Sequence, residues 1–239
     1  MPPYPSTASP LFTYEYPRPA VTVDAVVFGL DSRSVLHVLL IRRGSKPHLG
    51  SWAVPGGFVE LDEDLEVAAR RELLEESGVH VTYLEQLYTF GKPGRDPRGH
   101  VISVAWYALV RTIDHTPVAD TDATEVQWHS MDDLPELAFD HSEMVTAAHK
   151  RLQAKVCYAP VGFDLLPPKF TLRQLQQLYE GILDRPLDKR NFRRKVLAMN
   201  LLVDTDEVEQ RVRHRAARLY RFDHQKYNSL ALNGFIFDI

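Results

Sequence analysis

The string GFVELDEDLEVAARRELLEESGV, Gly57 to Val79, decides how the rest of this chain is read. Acidic residues come early, Ala and Leu fill the middle, and Gly78 follows as a stop, so the stretch is expected to be a helix. Glu72, Glu75 and Glu76 stand at i, i+3 and i+4, which puts three carboxylates on one helix face. Carboxylates that close raise one another's pKa unless a cation sits among them. Hard oxygen donors in such a cluster suit Mg²⁺ or Mn²⁺, ions that also bridge to phosphates. Gly57 lets the backbone turn and leaves its carbonyl open to a metal, and Arg71 can hold carboxylates by bidentate bonds. Leu65, Ala69, Leu73 and Val79 form the opposite, core-facing side. A solvated acidic helix with Glu–Arg pairs is the plainer reading. The full spacing, with glycine at both ends, argues against it.

That spacing is G-x5-E-x7-R-E-U-x-E-E-x-G-U, with U aliphatic, and it is met without departure at Gly57, Glu63, Arg71, Glu72, Leu73, Glu75, Glu76, Gly78 and Val79. It resembles the Nudix box of the Nudix hydrolase superfamily. The resemblance implies an α/β/α sandwich with a mixed sheet. It implies further that Glu72, Glu75 and Glu76, beside Arg71, bind metal or activate water against a pyrophosphate joining a nucleoside to another group. The box alone names no substrate.

The flanking sequence suits a sheet around that helix. AVTVDAVVFGL and VLHVLLIRR read as a hairpin broken at DSRS, SWAVPGGFV as an extended segment turning sharply at Pro55-Gly56-Gly57, and VTYLEQLYTFG, HVISVAWYALV and TEVQWHS as further strands. Between the two long later strands, KPGRDPRG carries Arg95 and Arg98 around Asp96. Guanidinium groups on a loop suit phosphate recognition, so Arg95 and Arg98 are candidate ligand-binding residues; a local Arg–Asp pair is the plainer alternative. Asp140 and His141 precede a helix and read as its cap.

APVGFDLLPP, with three prolines in ten residues, marks a boundary. The expected division is a mobile segment over 1–12, a first domain over 13–157 and a second over 158–239. Charge divides the same way. Residues 160–239 carry fourteen Lys/Arg against ten Asp/Glu, whereas residues 1–159 carry fourteen against twenty-two, which suggests different partners for the two parts. No apolar run approaches a membrane span, MPPYPSTASPLF lacks the features of a secretory signal, and the single Cys157 allows no internal disulfide and no Cys-based zinc site. A cytoplasmic protein with no membrane partner is expected.

In the second part, Thr171 caps an amphipathic helix with Leu172, Leu175, Leu178, Tyr179 and Ile182 on its apolar stripe. DRPL is a turn. DKRNFRRKVLAMNLL is a second helix, buried through Phe192, Val196 and Met199 with Leu197 beside them, and basic on the other side through Lys189, Arg190, Arg193 and Arg194, with Asn191 in its first turn. Arg reads guanine and Asn reads adenine in a major groove. HRAARLYRFD is a basic strand, with EVEQRV as its hairpin partner; Arg213, Arg215, Arg218 and Arg221 would touch phosphates from a wing. A solvated basic face that meets an acidic partner is the alternative.

Residues 160–239, together with SWAVPGGFVELDE, LEQLYTFGKPGRDPRGHVISVAWYALV and LAFDHSEM, resemble the Nudix-related transcriptional regulators of NAD metabolism. The fold implied is α+β: a Nudix domain followed by a C-terminal winged helix-turn-helix. The resemblance implies a homodimeric repressor whose Nudix domain senses ADP-ribose or a related NAD-derived nucleotide and whose winged domains grip double-stranded operator DNA. Related regulators of this layout sense sugars. Several members have eroded boxes and only bind their ligand. The intact box here therefore leaves open a Mg²⁺-dependent ADP-ribose pyrophosphatase, alone or combined with regulation.

Overall fold

The computed structural model describes residues 15–31, 33–115, 117–119, 123–210 and 216–239. The segment 1–12 and the wing residues Arg213 and Arg215 lie outside them. The described residues form an α+β fold, as the sequence implied. No helix among them is long and apolar enough to cross a membrane.

Strands β1 (Ala20–Leu30), β2 (Leu36–Arg43), β3 (Trp52–Ala53), β4 (Gly56–Phe58), β5 (Leu84–Phe90), β6 (Val101–Arg111) and β7 (Ala123–Ser130) form one sheet. Its order is β3-β2-β1-β6-β5, with β4 also paired to β1 and β7 to β2. β1 and β6 are buried almost without interruption, where a half-exposed strand would alternate. A strand reads that way when both faces of its sheet are covered. Helix α1 (Leu65–Ser77) covers part of one face, with Ala68 and Ala69 packed against Val23, Val104 and Trp106. Its start is fixed by Asp64, whose carboxylate accepts the Glu66 N–H, and its end by Gly78 in the left-handed region.

One detail of the sequence reading is corrected here. The turn falls at Val54-Pro55, and Gly56-Gly57 belong to β4, in register with Asp24 and Val23 of β1. A Cβ on Gly56 would lie 2.3 Å from the Val23 carbonyl oxygen, and one on Gly57 would lie 2.3 Å from Glu72 Oε1. Both glycines are therefore required by close approach and not by an unusual turn.

The chain divides into two compact units. One gathers residues up to Val27, Val38–Ala108 and Thr116–Val145; the other gathers Phe28–His37, Leu109–His115 and Thr146–Ile239. Helix α2 spans His141–Tyr158, and a short 3-10 turn covers Val161–Leu165. In the second unit follow α3 (Leu172–Leu183), α4 (Lys189–Ala198), β8 (Leu202–Val208), β9 (Arg218–Phe222) and α5 (His224–Leu232). α3 opens with the expected cap, extended to a full capping box by Gln174. Leu175, Leu178, Tyr179 and Ile182 are buried, and the Tyr179 ring meets Phe192 of α4 at 5.6 Å. Phe163 stacks on Phe222 at 4.1 Å, tying the 3-10 turn to the end of β9.

Two further expectations are revised. Leu197 is exposed, because the buried stripe of α4 runs only through Phe192 and Val196. The partner of β9 is Leu202–Val208, with Leu202 opposite Phe222, Val203 opposite Arg221 and Val208 opposite Arg218, so the pairing starts earlier than the expected 207–212, of which 211 and 212 lie outside the described residues. α5 was not anticipated; none of its residues is buried, so it carries no apolar stripe to read.

Phe192 joins α4 to α3. Phe192→Ala should cost about 3–4 kcal/mol, the usual penalty for an emptied aromatic site. Urea denaturation followed by a probe in the second unit checks this; a loss below about 1 kcal/mol would show that α4 is held by other contacts.

Candidate functional site

Arg71 is the hub of the glutamate helix. Its Nε and Nη2 donate to the two oxygens of Glu63 at 2.7 and 2.8 Å, Nη1 donates to Glu72 Oε1 at 2.8 Å and Glu75 Oε2 at 3.2 Å, and Nη2 also reaches the Phe58 carbonyl at 3.2 Å. Hydrogen bonding from Arg71 holds the Glu63 carboxyl below its ordinary range. The same bonds raise the Arg71 guanidinium pKa further still.

The three expected glutamates occupy different environments. Glu75 is half exposed, Glu72 is largely covered, and Glu76 is buried. Burial pushes the Glu72 carboxyl up, against the opposing pull of Arg71. Burial also pushes Glu76 up, to about 8, aided by the neighbouring charges of Glu72 and Asp24 and opposed by the Gly56 N–H, which donates to Glu76 Oε2 at 2.8 Å. Glu72 lies directly on the Gly57 backbone, in space that any side chain there would fill.

These donors fit a hard divalent cation in kind: carboxylate oxygens crowded beside bare backbone, those of Glu72 and Glu76 with pKa values raised by burial and neighbouring carboxylates. Among the described residues, however, no group of three or more His, Cys, Asp or Glu side chains is assembled around a common point. Arg71 is the cation bonded to Glu72 and Glu75, and the charge of Arg43 acts on Glu76 from farther away.

Beneath β4 lies a buried polar set that sequence reasoning missed. Asp24 accepts a short hydrogen bond from Ser103 Oγ, and its other oxygen is 3.6 Å from His141 Nε2. His141 Nδ1 accepts the Val54 N–H at 3.1 Å. Burial lowers the His141 pKa, which suits this neutral, accepting ring. The set supports the 54–57 segment that in turn holds Glu76. Its signal was present: Asp24 is the one charged residue inside the apolar run of β1.

The two loop arginines separate. Arg95 is buried, and its Nε and Nη2 donate to both oxygens of Asp140 at 2.8 and 2.6 Å. It therefore locks the loop to the start of α2, and the carboxylate of Asp140 serves Arg95, where a helix cap had been expected. Arg98 is bidentate to Asp96 but partly exposed, and its guanidinium carbon lies 4.9 Å from the Phe58 ring centre. Both engage an aspartate through Nε and Nη2, but Arg98, 38% exposed against 4% for Arg95, is the one a ligand can reach.

In the second unit, Asp188 caps α4, and Lys189, Arg190, Asn191 and Arg194 all face outward. Arg193 is part-buried. Asn191 Oδ1 accepts from Arg194 Nη2 at 2.7 Å. On the β8–β9 hairpin, Arg218 pairs with Asp204 at 2.6 Å. That pair is exposed and hence weak, so Arg218 can exchange it for a phosphate.

The raised pKa of Glu76 makes a stability prediction. The folded value of about 8 lies above the ordinary 4.5, so the folded state binds the proton more tightly. Stability in chelator-treated protein should fall as pH rises from about 4.5 to about 8, because folding then withholds water from a group that would otherwise ionise. Glu76→Gln removes that dependence. Its melting temperature should exceed the wild type's at pH 8 and nearly equal it at pH 5; a gain independent of pH would contradict the assigned burial cost.

Comparison with known proteins agrees with this geometry. Residues 18–148 match the NUDIX domain family, and residues 162–222 match the NrtR DNA-binding winged helix domain. The chain is 38% identical, over 90% of its length and 86% of the relative's, to the ADPR responsive transcriptional repressor NtrR of Acinetobacter baylyi. It is similar to the crystal structure of Shewanella oneidensis NrtR complexed with a 27mer DNA, at 37% identity and TM-score 0.74, covering 84% of this chain and 93% of that one. It is also similar to the NUDIX domain of Shewanella oneidensis NrtR complexed with ADP ribose, at 36% identity and TM-score 0.54, over 57% of this chain and 90% of that one. With a Nudix box built around Arg71 in one part and an NrtR-type winged helix in the other, the chain belongs to the Nudix family, among the NrtR-like transcriptional repressors.

Proposed function

We propose that this chain is an ADP-ribose-responsive transcriptional repressor of NAD-metabolism genes, acting in the cytoplasm as a homodimer on double-stranded operator DNA. The sensing part corresponds to residues 13–157 and the DNA-gripping part to 158–239. The observation that carries the reading is α4: a capped helix anchored by Phe192 and Val196, which leaves Lys189, Arg190, Asn191 and Arg194 outward. A helix so anchored can enter a major groove with its base-reading side chains free, and Arg193 and Arg218 would contact phosphates beside it. ADP-ribose binding to the Nudix domain then lowers DNA affinity.

Fluorescence anisotropy on operator fragments enriched from the source genome tests this. Arg190→Ala with Arg194→Ala should weaken binding by more than about tenfold, since a lost base contact costs about 1–3 kcal/mol. The logarithmic salt dependence should change by less than about 0.9 per residue, the value of a lost phosphate contact, because both side chains are assigned to bases. A double variant that binds operator like the wild type removes α4 from recognition.

A second reading, hydrolysis of ADP-ribose to AMP and ribose 5-phosphate, is favoured by the box being met at every position. Glu72, Glu75 and Glu76 with the Gly57 carbonyl would hold Mg²⁺ or Mn²⁺, which when bound supplies Lewis acidity and an acidified water. Arg71 holds Glu75 and keeps Glu72 beside Gly57, and the Gly56 N–H fixes Glu76. Wild-type protein with ADP-ribose and Mg²⁺ should release AMP, read by chromatography, and Glu76→Gln should not. Absence of AMP from the wild type leaves ligand sensing as the whole role of the domain.

A further inference from the structure

Phe192 and Val196 bury one side of α4. The entry to that helix, just before Lys189, Arg190 and Asn191, is held from α3 by other means. Glu180 Oε1 accepts the Leu187 N–H at 2.9 Å, and Gln176 Nε2 donates to the Leu187 carbonyl at 3.1 Å. Gln176 Nε2 also donates to Glu180 Oε1 at 2.9 Å. Two side chains one helical turn apart thus close a ring of hydrogen bonds on both backbone groups of Leu187.

The rest of the turn ends on the same residue. Asp184, in the left-handed region with φ of 51°, donates its backbone N–H to the Glu180 carbonyl, and Arg185 does so at 3.4 Å. Pro186 has no N–H to offer. Each backbone donor from 184 to 187 is therefore taken by Glu180. The end of α3 is itself held, since Gln153 of α2 donates to the Ile182 carbonyl at 3.2 Å. Leu187 leads directly into Asp188, the cap of α4, which accepts the Asn191 N–H at 2.8 Å. A left-handed residue and a proline already reverse the chain, so the reversal does not require the ring on Leu187. Base reading is more exacting, because side chains that recognise a target must be placed to within about 0.5 Å.

We propose that Glu180, assisted by Gln176, is the positioning residue of the recognition helix, fixing the entry of α4 so that Arg190 and Asn191 meet base edges. The proposal rests on the repressor reading of α4 and deepens it by naming what sets operator specificity from behind the DNA-facing surface.

Fluorescence anisotropy of the full chain on operator and on a scrambled duplex of the same composition tests it, with thermal melting alongside. Glu180→Ala should weaken operator binding by about tenfold, the scale of a lost hydrogen bond to a charged group, and Gln176→Ala by less. Glu180→Gln removes the same charge but keeps an acceptor for the Leu187 N–H, so it should recover most of the loss. Both Glu180 variants should bind the scrambled duplex equally, with the same salt slope, because neither loses a cation that meets phosphate. In an Arg190→Ala background, Glu180→Ala should cost less than in the wild type, since the contact it places is already gone. Gln176→Ala retains the Glu180–Leu187 bond and serves if Glu180→Ala melts too early. Equal losses on both duplexes, or losses that simply add to that of Arg190→Ala, overturn the positioning role and leave a turn that only supports stability. Unchanged operator affinity in both alanine variants also overturns it; the repressor reading stands if Arg190→Ala with Arg194→Ala still abolishes discrimination. A wild type that does not distinguish the two duplexes removes the repressor reading, and the proposal falls with it.

Discussion

One guanidinium makes the first unit possible. Glu63, Glu72 and Glu75 crowd beside the half-buried strand β4, and Arg71 touches all three and the Phe58 carbonyl besides. Like charges at this spacing would otherwise repel or take up protons. The bidentate bond to Glu63 clamps the segment before α1 onto the helix itself. The loop 59–64 is thereby fixed, and β4 is brought against the carboxylates. That approach is feasible only because residues 56 and 57 carry no side chains. Charge pairing and steric absence act together here, and neither would suffice alone.

The support beneath is polar, although it lies in the core. Asp24 interrupts β1 with a charge that two neighbours engage, Ser103 from β6 and His141 from the start of α2. His141 in turn satisfies the Val54 N–H, which the turn at Val54-Pro55 would leave without a strand partner. The bidentate Arg95–Asp140 bond pins the same corner from the other side. A site floor braced in this way does not have to be ordered by its ligand, so less binding energy goes into arranging the protein.

Local features were legible in the sequence and distant ones were not. The box, the capped α3 and the basic α4 are set by spacing within a single helix, so periodicity and caps revealed them. Arg95 and Arg98 look equivalent along the chain. Only the fold, by bringing Asp140 from forty-five residues away, makes one structural and leaves the other available. Arg43 reads as the polar end of a strand until Phe139 and Arg98 are placed beside it. Gly56-Gly57 was taken for a turn because Pro-Gly-Gly usually is one; its actual cause, a carboxylate 2.3 Å from a would-be Cβ, belongs to tertiary structure. The hairpin of the wing begins earlier than its charged residues suggest, because the apolar pair Leu202 and Phe222 supplies its anchor.

Hydrolysis, where it occurred, would turn on one competition at the glutamate helix. Arg71 and a divalent ion want the same carboxylate oxygens on Glu72 and Glu75. While Arg71 holds them, its single charge offsets part of the carboxylate charge of Glu63, Glu72 and Glu75, and a bridging ion would have to displace it. Binding then stabilises the ground state, which is all a sensor requires; turnover needs interactions that strengthen at the transition state. Linkage adds a constraint on the sensor. If ADP-ribose weakens DNA binding by some factor, operator DNA must weaken ADP-ribose binding by the same factor. A chain that also destroyed its effector would do so most readily when free of DNA, because that is the form with the greater affinity for the nucleotide. Hydrolysis and repression are thus opposed through a shared equilibrium, and an intact box in a DNA-binding protein can serve as a timer on its own release.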